Sequence, residues 1–127
     1  SISIFGNNYS TQDGTGIRDY IHVLDLVSAH EASLDYLFRN KSNIYLNLAT
    51  GKGYSVLDVI KLAQSVTSKE IKYNFVDKRD GDCAKIVAKS NIAAKILNWD
   101  PKFSDMKQII ESMWNIYYKY YNKISKV

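Results

Sequence analysis

The sequence is poor in the residues that define several special classes of protein. Its 127 residues include one cysteine, Cys83, and one proline, Pro101. A lone cysteine excludes an internal disulfide framework and favours a reducing compartment. No apolar run approaches the roughly 18 residues that span a membrane, and the first residues lack a signal-peptide pattern. We therefore expect a cytoplasmic protein with no membrane partner.

Charge of neither sign dominates the sequence. Seventeen Lys and Arg against thirteen Asp and Glu give a net charge of +4. Three of the lysines, Lys119, Lys123 and Lys126, lie in or after the last predicted helix, a pattern typical of a solvated tail. The net charge permits an anionic partner without choosing one, and we expect no nucleic-acid partner. The length and the 46% hydrophobic content are those of one globular domain.

Motifs for nucleotide binding, metal binding and catalysis are also missing. The glycines, at positions 6, 14, 16, 51, 53 and 81, are spaced neither as a P-loop nor as G-x-G-x-x-G. No tyrosine is followed four residues later by lysine. His22 and His30 lie near no group with metal-ligand spacing, so structural roles are favoured for both. The sequence therefore predicts no metal site and no catalytic residue of its own.

Apolar patterning predicts an α/β chain. Alternating or continuous apolar runs predict strands at residues 1–5, 44–48 and 70–76. Apolar residues at helical spacing predict helices at residues 23–38, from 56 through 63, at 90–97 and from 104 onward. Asn40 and Lys41 are expected to end the first of these helices. This order of elements is typical of an α/β fold and contains no internal repeat.

Several of these elements carry finer expectations. The continuous run at 44–48 predicts a strand covered on both faces, whereas the alternation at 70–76 predicts a half-buried strand. Ser55 with Asp58 resembles a capping box, and Ser90 and Ser104 are expected to cap the two later helices. The aromatic stripe on the last helix is expected to be core.

Two short segments concentrate polar chemistry. Residues 13–23 contain a glycine-containing loop that places Arg18 and Tyr20 just before a helix. Residues 78–82 form a tight turn that carries two cations and two carboxylates. Arginine binds phosphate oxygens bidentately, and a carboxylate can accept hydrogen bonds from ribose hydroxyls. From the residues alone, surface turns closed by local ion pairs are the favoured interpretation of both segments, because neighbouring exposed Arg and Asp residues are common.

These two segments, in this order and at this separation, resemble the carboxy-terminal part of the UDP-glucose 4-epimerase family of extended short-chain dehydrogenases/reductases. Residues 4–9, 45–48, 55–59 and 98–99 also look like family segments. The resemblance implies an α/β chain with elements that pack on a Rossmann sheet plus the small substrate-binding lobe. Residues 1–127 would then be the carboxy-terminal UDP-sugar-binding portion, with the Rossmann amino-terminal half absent.

The resemblance also implies substrate-binding residues. By similarity, Arg18 and Arg79 would hold the diphosphate, and Asp82 would hold the ribose. The backbone around Ser3 to Phe5 would contact the uracil. Tyr20 would lie close to the nucleotide, and Ile86 would border the sugar pocket. Lys78 stands where a second arginine is common in the family, which keeps the charge but loses the planar fork.

The family interconverts UDP-galactose and UDP-glucose by NAD-dependent epimerisation at C4. Its dinucleotide fingerprint and Tyr-x-x-x-Lys pair belong to the amino-terminal portion, so the resemblance implies that NAD is bound there and that this chain alone is inactive. The implied partners are UDP-galactose or UDP-glucose, together with the missing amino-terminal half or a second copy of the chain.

Two alternatives remain open at this point. One is another nucleotide-sugar-modifying member of the extended family, such as a dehydratase or a UDP-hexuronate epimerase. The other is a non-catalytic binding module, in which the two arginine-bearing turns are merely solvated loops.

Overall fold

A computed structural model describes residues 1–124, with side chains described for residues 1–121. Within this part the chain forms strands β1 (Ile2–Phe5), β2 (Ile17–Asp19), β3 (Gly53–Ser55), β4 (Tyr73–Val76) and β5 (Lys85–Ile86), and helices α1 (Val23–Asn40), α2 (Val56–Thr67), α3 (Asn91–Leu97) and α4 (Met106–Ile124). The predicted α/β class is confirmed. Lys126 and the side chain of Lys123, expected in a solvated tail, lie outside the description.

The strands form two small sheets. β1 and β4 pair in parallel, with Ile4 opposite Phe75. β2 is the central strand of the second sheet, antiparallel to β3 and parallel to β5. The expectation of a half-buried β4 is wrong for its large residues: Tyr73 and Phe75 are 42% and 44% exposed and contact each other edge to face.

The strand predicted at residues 44–48 is absent, and that prediction is wrong. The segment is non-helical and joins no sheet, although Leu46 and Leu48 pack against the core. A strand covered on both faces needs neighbouring strands for its backbone N–H and C=O groups. Within the described residues no strand pairs with this segment. Its apolar side chains therefore pack on the core, but its backbone joins no β-ladder.

Helix ends follow the sequence in part. Ser55 and Asp58 form the expected capping box at the start of α2. α1 ends where predicted, with Lys41 in the left-handed conformation. Ser90 precedes α3 but its side chain makes no capping hydrogen bond, so that expectation is wrong.

The start of α4 also differs from expectation. Asp105, and not Ser104, accepts from the first-turn N–H groups, with 3.0 Å between its Oδ1 and Lys107 N. The Ser104 hydroxyl instead donates to the carboxylate of Asp25 and accepts from His22 N–H. A long-range contact has therefore replaced the local cap that the sequence predicted.

The aromatic stripe of α4 does not form core. Trp114 stacks on Tyr117, and Tyr117 on Tyr121, with ring centroids 5.6 and 4.3 Å apart. Tyr117 and Tyr121 are nevertheless 50% and 56% exposed, whereas Met106 at the start of the helix is buried. The second half of α4 therefore presents its rings at the surface.

The core lies where α1 meets α3. Ala29, Ala93 and Trp99 are buried together, and Trp99 Nε1 donates to the carbonyl oxygen of Asp25. α2 packs separately against α4. No helix in residues 1–124 is long and apolar enough to cross a lipid bilayer.

Candidate functional site

The loop between β1 and β2 is organised by Asp13. Its Oδ1 accepts from the backbone N–H and the hydroxyl of Thr15, and its Oδ2 accepts from the Ser55 hydroxyl. Burial alone would raise the pKa of Asp13, but these hydrogen bonds outweigh it and hold the pKa below its ordinary value. The ionised carboxylate therefore fixes the glycine-containing loop against the start of α2.

Arg18 projects from β2 and is held in place by two carbonyl groups. Its Nη1 donates to the Ile17 oxygen at 2.8 Å and to the Cys83 oxygen at 2.9 Å. Gly16 makes room for it, since a Cβ at that position would lie 3.3 Å from Nη1. Nη2 lies 3.7 Å from Asp82 Oδ1. The guanidinium is therefore oriented while part of its donor set faces solvent.

The turn after β4 brings a second guanidinium to the same place. Arg79 Nε donates to Asp82 Oδ2 at 2.8 Å, and the Asp82 N–H lies 3.2 Å from the Arg79 carbonyl oxygen. Gly81, with φ +81°, allows this tight reversal. The Arg79 guanidinium also lies 4.7 Å from the centroid of the Phe5 ring.

Asp82 therefore bridges Arg18 and Arg79, which lie far apart in the sequence. Two guanidinium groups share one carboxylate, so this three-residue cluster keeps one excess positive charge. The Asp82 side chain is only 22% exposed and that of Arg18 27%, whereas that of Arg79 is 62% exposed. The partial burial of Arg18 strengthens its attraction for an anion.

One cleft of about 220 Å³ collects most of the predicted site. It is lined by Ser3, Ile4, Phe5, Tyr9, Gly16, Arg18, Tyr20, Val56, Arg79 and Asp82. Six of the seven residues singled out from sequence are therefore brought together. The seventh, Ile86, does not line the cleft; it lies 53% exposed on β5, directly beside Arg18 in the parallel ladder.

Of the other four lining residues, Ile4 lies between the predicted Ser3 and Phe5, and sequence reasoning missed Tyr9, Gly16 and Val56. Gly16 lies inside the conspicuous glycine-containing segment, so a search for space beside Arg18 would have found it. Val56 follows the recognised helix cap. Tyr9 gave only a weak signal, an aromatic residue within a polar loop, and its place in the cleft depends on the path of the folded chain.

Tyr20 adds a neutral hydroxyl to the cleft. Burial raises its pKa above the ordinary value, and the nearby positive charge of Arg18 opposes the rise without cancelling it. Tyr20 is therefore protonated at neutral pH and available as a hydrogen-bond donor.

A larger hollow of about 340 Å³ lies elsewhere, between α1 and residues 43–48. Its lining includes Leu37, Ile44 and Leu48 and carries no charged side chain. Phosphate binding needs cationic or N–H donors, so the smaller cleft with the two arginines is the stronger candidate for an anionic ligand.

Neither histidine is placed as a base in the cleft. His22 caps α1: its Nδ1 accepts from the Leu24 N–H, so the neutral ring directs its Nε2–H to the Ser112 hydroxyl, 2.8 Å away. His30 contacts the carbonyl oxygen of Leu26. In the described residues no three His, Cys, Asp or Glu side chains are grouped to hold a metal ion.

Comparisons with known proteins agree on one kind of relative. No family model matches the chain. It is 40% identical over 114 residues to UDP-glucose 4-epimerase of Halalkalibacterium halodurans, covering 90% of this chain and 34% of that enzyme.

Solved structures give the same result. The epimerase of Stenotrophomonas maltophila, with bound NAD and formylated UDP-arabinopyranose, superposes with a TM-score of 0.87 at 36% identity, covering 99% of this chain and 36% of that one. The epimerase of Bifidobacterium longum, in complex with NAD+ and UDP, gives 0.86 at 38% identity, with coverages of 94% and 35%.

These relatives define a class, enzymes that epimerise nucleotide sugars. Within it, the chain corresponds to the carboxy-terminal part of UDP-glucose 4-epimerases. It spans about a third of the length of the curated relatives that it matches.

Proposed function

We propose that this chain is the UDP-anchoring portion of an NAD-dependent UDP-glucose 4-epimerase, in which residues 1–127 bind the nucleotide of UDP-galactose or UDP-glucose. The observation that carries the proposal is the Arg18–Asp82–Arg79 cluster inside the cleft. A nucleoside diphosphate brings negative charge to two guanidinium groups whose donors are only partly used. This is the chemistry that the cluster offers.

The proposed roles are those that the resemblance to the family implies for the residues of the cleft. Arg18 and Arg79 hold the diphosphate. The phosphates then replace Asp82 as the hydrogen-bond partners of the two arginines. The Asp82 carboxylate accepts hydrogen bonds from the ribose hydroxyls instead. Ser3 and Phe5, on the edge strand β1, lie where the uracil would contact backbone groups, and Tyr20 supplies a neutral donor beside Arg18.

The start of α2, which follows a glycine-containing segment, does not fit the pyrophosphate of NAD. A pyrophosphate normally uses free N–H groups at a helix start after a glycine-rich turn. At the start of α2 the first three N–H groups are already directed to the Gly16 carbonyl, the Thr15 hydroxyl and the Ser55 hydroxyl. NAD, which supplies the hydride chemistry at C4, is therefore assigned to the amino-terminal portion of the complete enzyme.

Under this proposal the chain contributes binding and not bond-making. Epimerisation requires the hexose to present both faces while the nucleotide stays bound. Concentrating contacts on UDP serves this need, because remote binding energy holds the reacting group without freezing its orientation.

The proposed partner is the amino-terminal portion, and the proposed location is the cytoplasm. Ile86 is proposed to border the sugar from β5.

The direct test is titration of UDP into the complete polypeptide that carries this sequence. Wild-type protein is expected to bind UDP, and Arg79→Ala and Arg18→Ala to bind it more weakly. Arg39→Ala is the matched control, since Arg39 lies on α1 in an exposed pair with Asp35. Absence of UDP binding by the wild type would support a non-catalytic module with solvated arginine turns.

The same titration addresses the other enzyme class. A different nucleotide-sugar-modifying member of the extended family would also bind UDP, but would convert UDP-glucose to a product other than UDP-galactose. Product analysis by chromatography separates the two. The sequence relatives favour the epimerase.

A further inference from the structure

Tyr9 carries the least satisfied polar atom of the cleft. Its side chain lines the cleft with Arg18 and Arg79, yet the residue is only 8% exposed. Its hydroxyl is buried and, among the residues the structure describes, has no hydrogen-bond partner. Buried hydroxyl groups in folded proteins almost always have one, so the exception calls for a cause.

The ring of Tyr9 is firmly positioned. Gly6 adopts φ +84°, and a Cβ there would lie 2.7 Å from Tyr9 Cε2, so only glycine allows the ring to pack this closely. The Lys78 ammonium lies 4.3 Å from the ring centroid and 3.2 Å from the Asn8 carbonyl oxygen. The backbone N–H of Tyr9 donates to the Gly14 oxygen.

This arrangement is unfavourable in the free protein. A buried hydroxyl without a partner forfeits its hydrogen bonds to water and receives nothing in return. Phenylalanine would fill the same space without that cost. A bound ligand that supplies the missing hydrogen-bond partner would explain why a tyrosine is held rigidly in this position.

We propose that the Tyr9 hydroxyl is a ligand-binding group that donates a hydrogen bond to a phosphoryl oxygen of a bound nucleoside diphosphate. This inference rests on the proposed UDP-binding function. The phosphate end is indicated because the cations around Tyr9, namely Lys78 with Arg18 and Arg79, would gather there. Lys78 is exposed, and its ammonium lies over the Tyr9 ring. The proposal requires this side chain to turn toward the diphosphate so that a phosphoryl oxygen can reach the hydroxyl.

The proposal gives Tyr9→Phe two effects of opposite sign. Removing the hydroxyl weakens UDP binding about 10- to 100-fold, the range expected for a hydrogen bond to a charged acceptor. Affinity for uridine, which lacks phosphate, is unchanged. The melting temperature of the ligand-free protein rises by about 2–8 °C, because an unpaired buried hydroxyl is gone.

The measurements are calorimetric titration and thermal unfolding of the complete polypeptide. Tyr118→Phe is the matched control, since Tyr118 is 59% exposed on α4 and does not line the cleft; both quantities should stay at wild-type values. Unchanged UDP affinity in Tyr9→Phe overturns the inference. So does an equal loss for uridine, which would place the hydroxyl on the nucleoside.

A lower melting temperature in Tyr9→Phe would also overturn the inference, because it would show that the hydroxyl stabilises the free fold. These failures are distinct from failure of the proposed function. If the wild type binds no UDP, both are overturned. If the wild type binds UDP and Tyr9→Phe binds it equally well, only the role of Tyr9 is lost.

Discussion

The carboxylate of Asp25, in the first turn of α1, accepts a hydrogen bond from the hydroxyl of Ser104, 79 residues later in the sequence. The same carboxylate accepts from the backbone N–H groups of Lys102 and Phe103 at 2.8 and 2.9 Å. Asp25 is only 1% exposed. One side chain thus anchors the segment that leads into α4.

Asp25 makes the stability of the fold depend on pH. Burial would raise its pKa, but the hydrogen bonds from Ser104, Lys102 and Phe103 prevail and lower it. A carboxyl group with a lowered pKa in the folded state stabilises the fold above its unfolded pKa of about 4 and loses this contribution as the pH falls further. Chemical denaturation between pH 7 and pH 3 should therefore show stability falling at the acid end.

The variant Asp25→Ala tests the same contacts at neutral pH. It leaves the buried Ser104 hydroxyl unpaired, which is expected to cost about 1–3 kcal/mol, and it removes the partner of the Lys102 and Phe103 N–H groups. Asp35→Ala is the control, because its exposed pair with Arg39 contributes at most about 1 kcal/mol. Equal stability of the two variants would contradict the anchoring role of Asp25.

The two arginines should act mainly on substrate affinity. Arg79→Ala and Arg18→Ala are each expected to weaken UDP binding by about 1.5–3 kcal/mol. The anchor serves the ground state and the transition state alike, so steady-state kinetics of the complete enzyme should show a raised KM and a nearly unchanged kcat. A selective fall in kcat would instead place these residues in the chemical step.

The 127-residue chain should have no epimerase activity on its own, even with added NAD. The α2 start has no free N–H groups for a pyrophosphate, and no tyrosine of the sequence precedes a lysine by four residues. The assay is the interconversion of UDP-galactose and UDP-glucose by purified protein. Measurable turnover would mean that a catalytic group in this chain has been overlooked.

The isolated chain should associate with itself or with the amino-terminal portion. Val27, Leu34 and Phe38 on α1 are 57%, 55% and 79% exposed, and α1 and residues 43–48 line an uncharged hollow. Large apolar side chains exposed together on one helix are typical of an interface. Light scattering should show concentration-dependent association that Phe38→Ser reduces. Ile92→Ser, on α3, is the control and should leave it unchanged; a wild-type chain that stays monomeric at every concentration would contradict the prediction.

Ile86 gives a prediction on substrate width. If the sugar lies against β5, a tyrosine there would narrow the space, so Ile86→Tyr should shift preference from UDP-N-acetylglucosamine toward UDP-glucose. Steric discrimination of this kind is worth about 1–3 kcal/mol, or roughly 10–200-fold in kcat/KM. The ratio of kcat/KM for the two substrates in the complete enzyme is the measurement. An identical ratio would show that Ile86 does not face the sugar.

Local signals in the sequence were sufficient for much of the fold. The capping box of Ser55 and Asp58 and the end of α1 depend on neighbours within a few residues, so they could be predicted. Ser104 could not, because its partner Asp25 is distant in sequence. The strand prediction at 44–48 failed for a related reason. An apolar pattern predicts which side chains are buried, but it does not predict whether another strand lies alongside.

The candidate site divides in the same way. Arg18, Arg79 and Asp82 were found because two short segments concentrate charged residues, and the resemblance to the epimerase family supplied their roles. That Asp82 reaches Arg18 depends on β2 pairing with β5, and that Phe5 lies under Arg79 depends on β1 pairing with β4. Tyr9 was invisible as a site residue because its significance is a missing partner, which only packing can reveal.

The bridging position of Asp82 has a consequence for selectivity under the proposed role. In the free protein this carboxylate is an internal competitor for the arginines, so a simple inorganic anion must displace it and then leaves it unpaired. A nucleoside diphosphate displaces it and supplies two ribose hydroxyls in exchange. The same residue that weakens the site for phosphate or sulfate thereby turns a general anion site into one that recognises neutral hydroxyls at a fixed distance from a diphosphate.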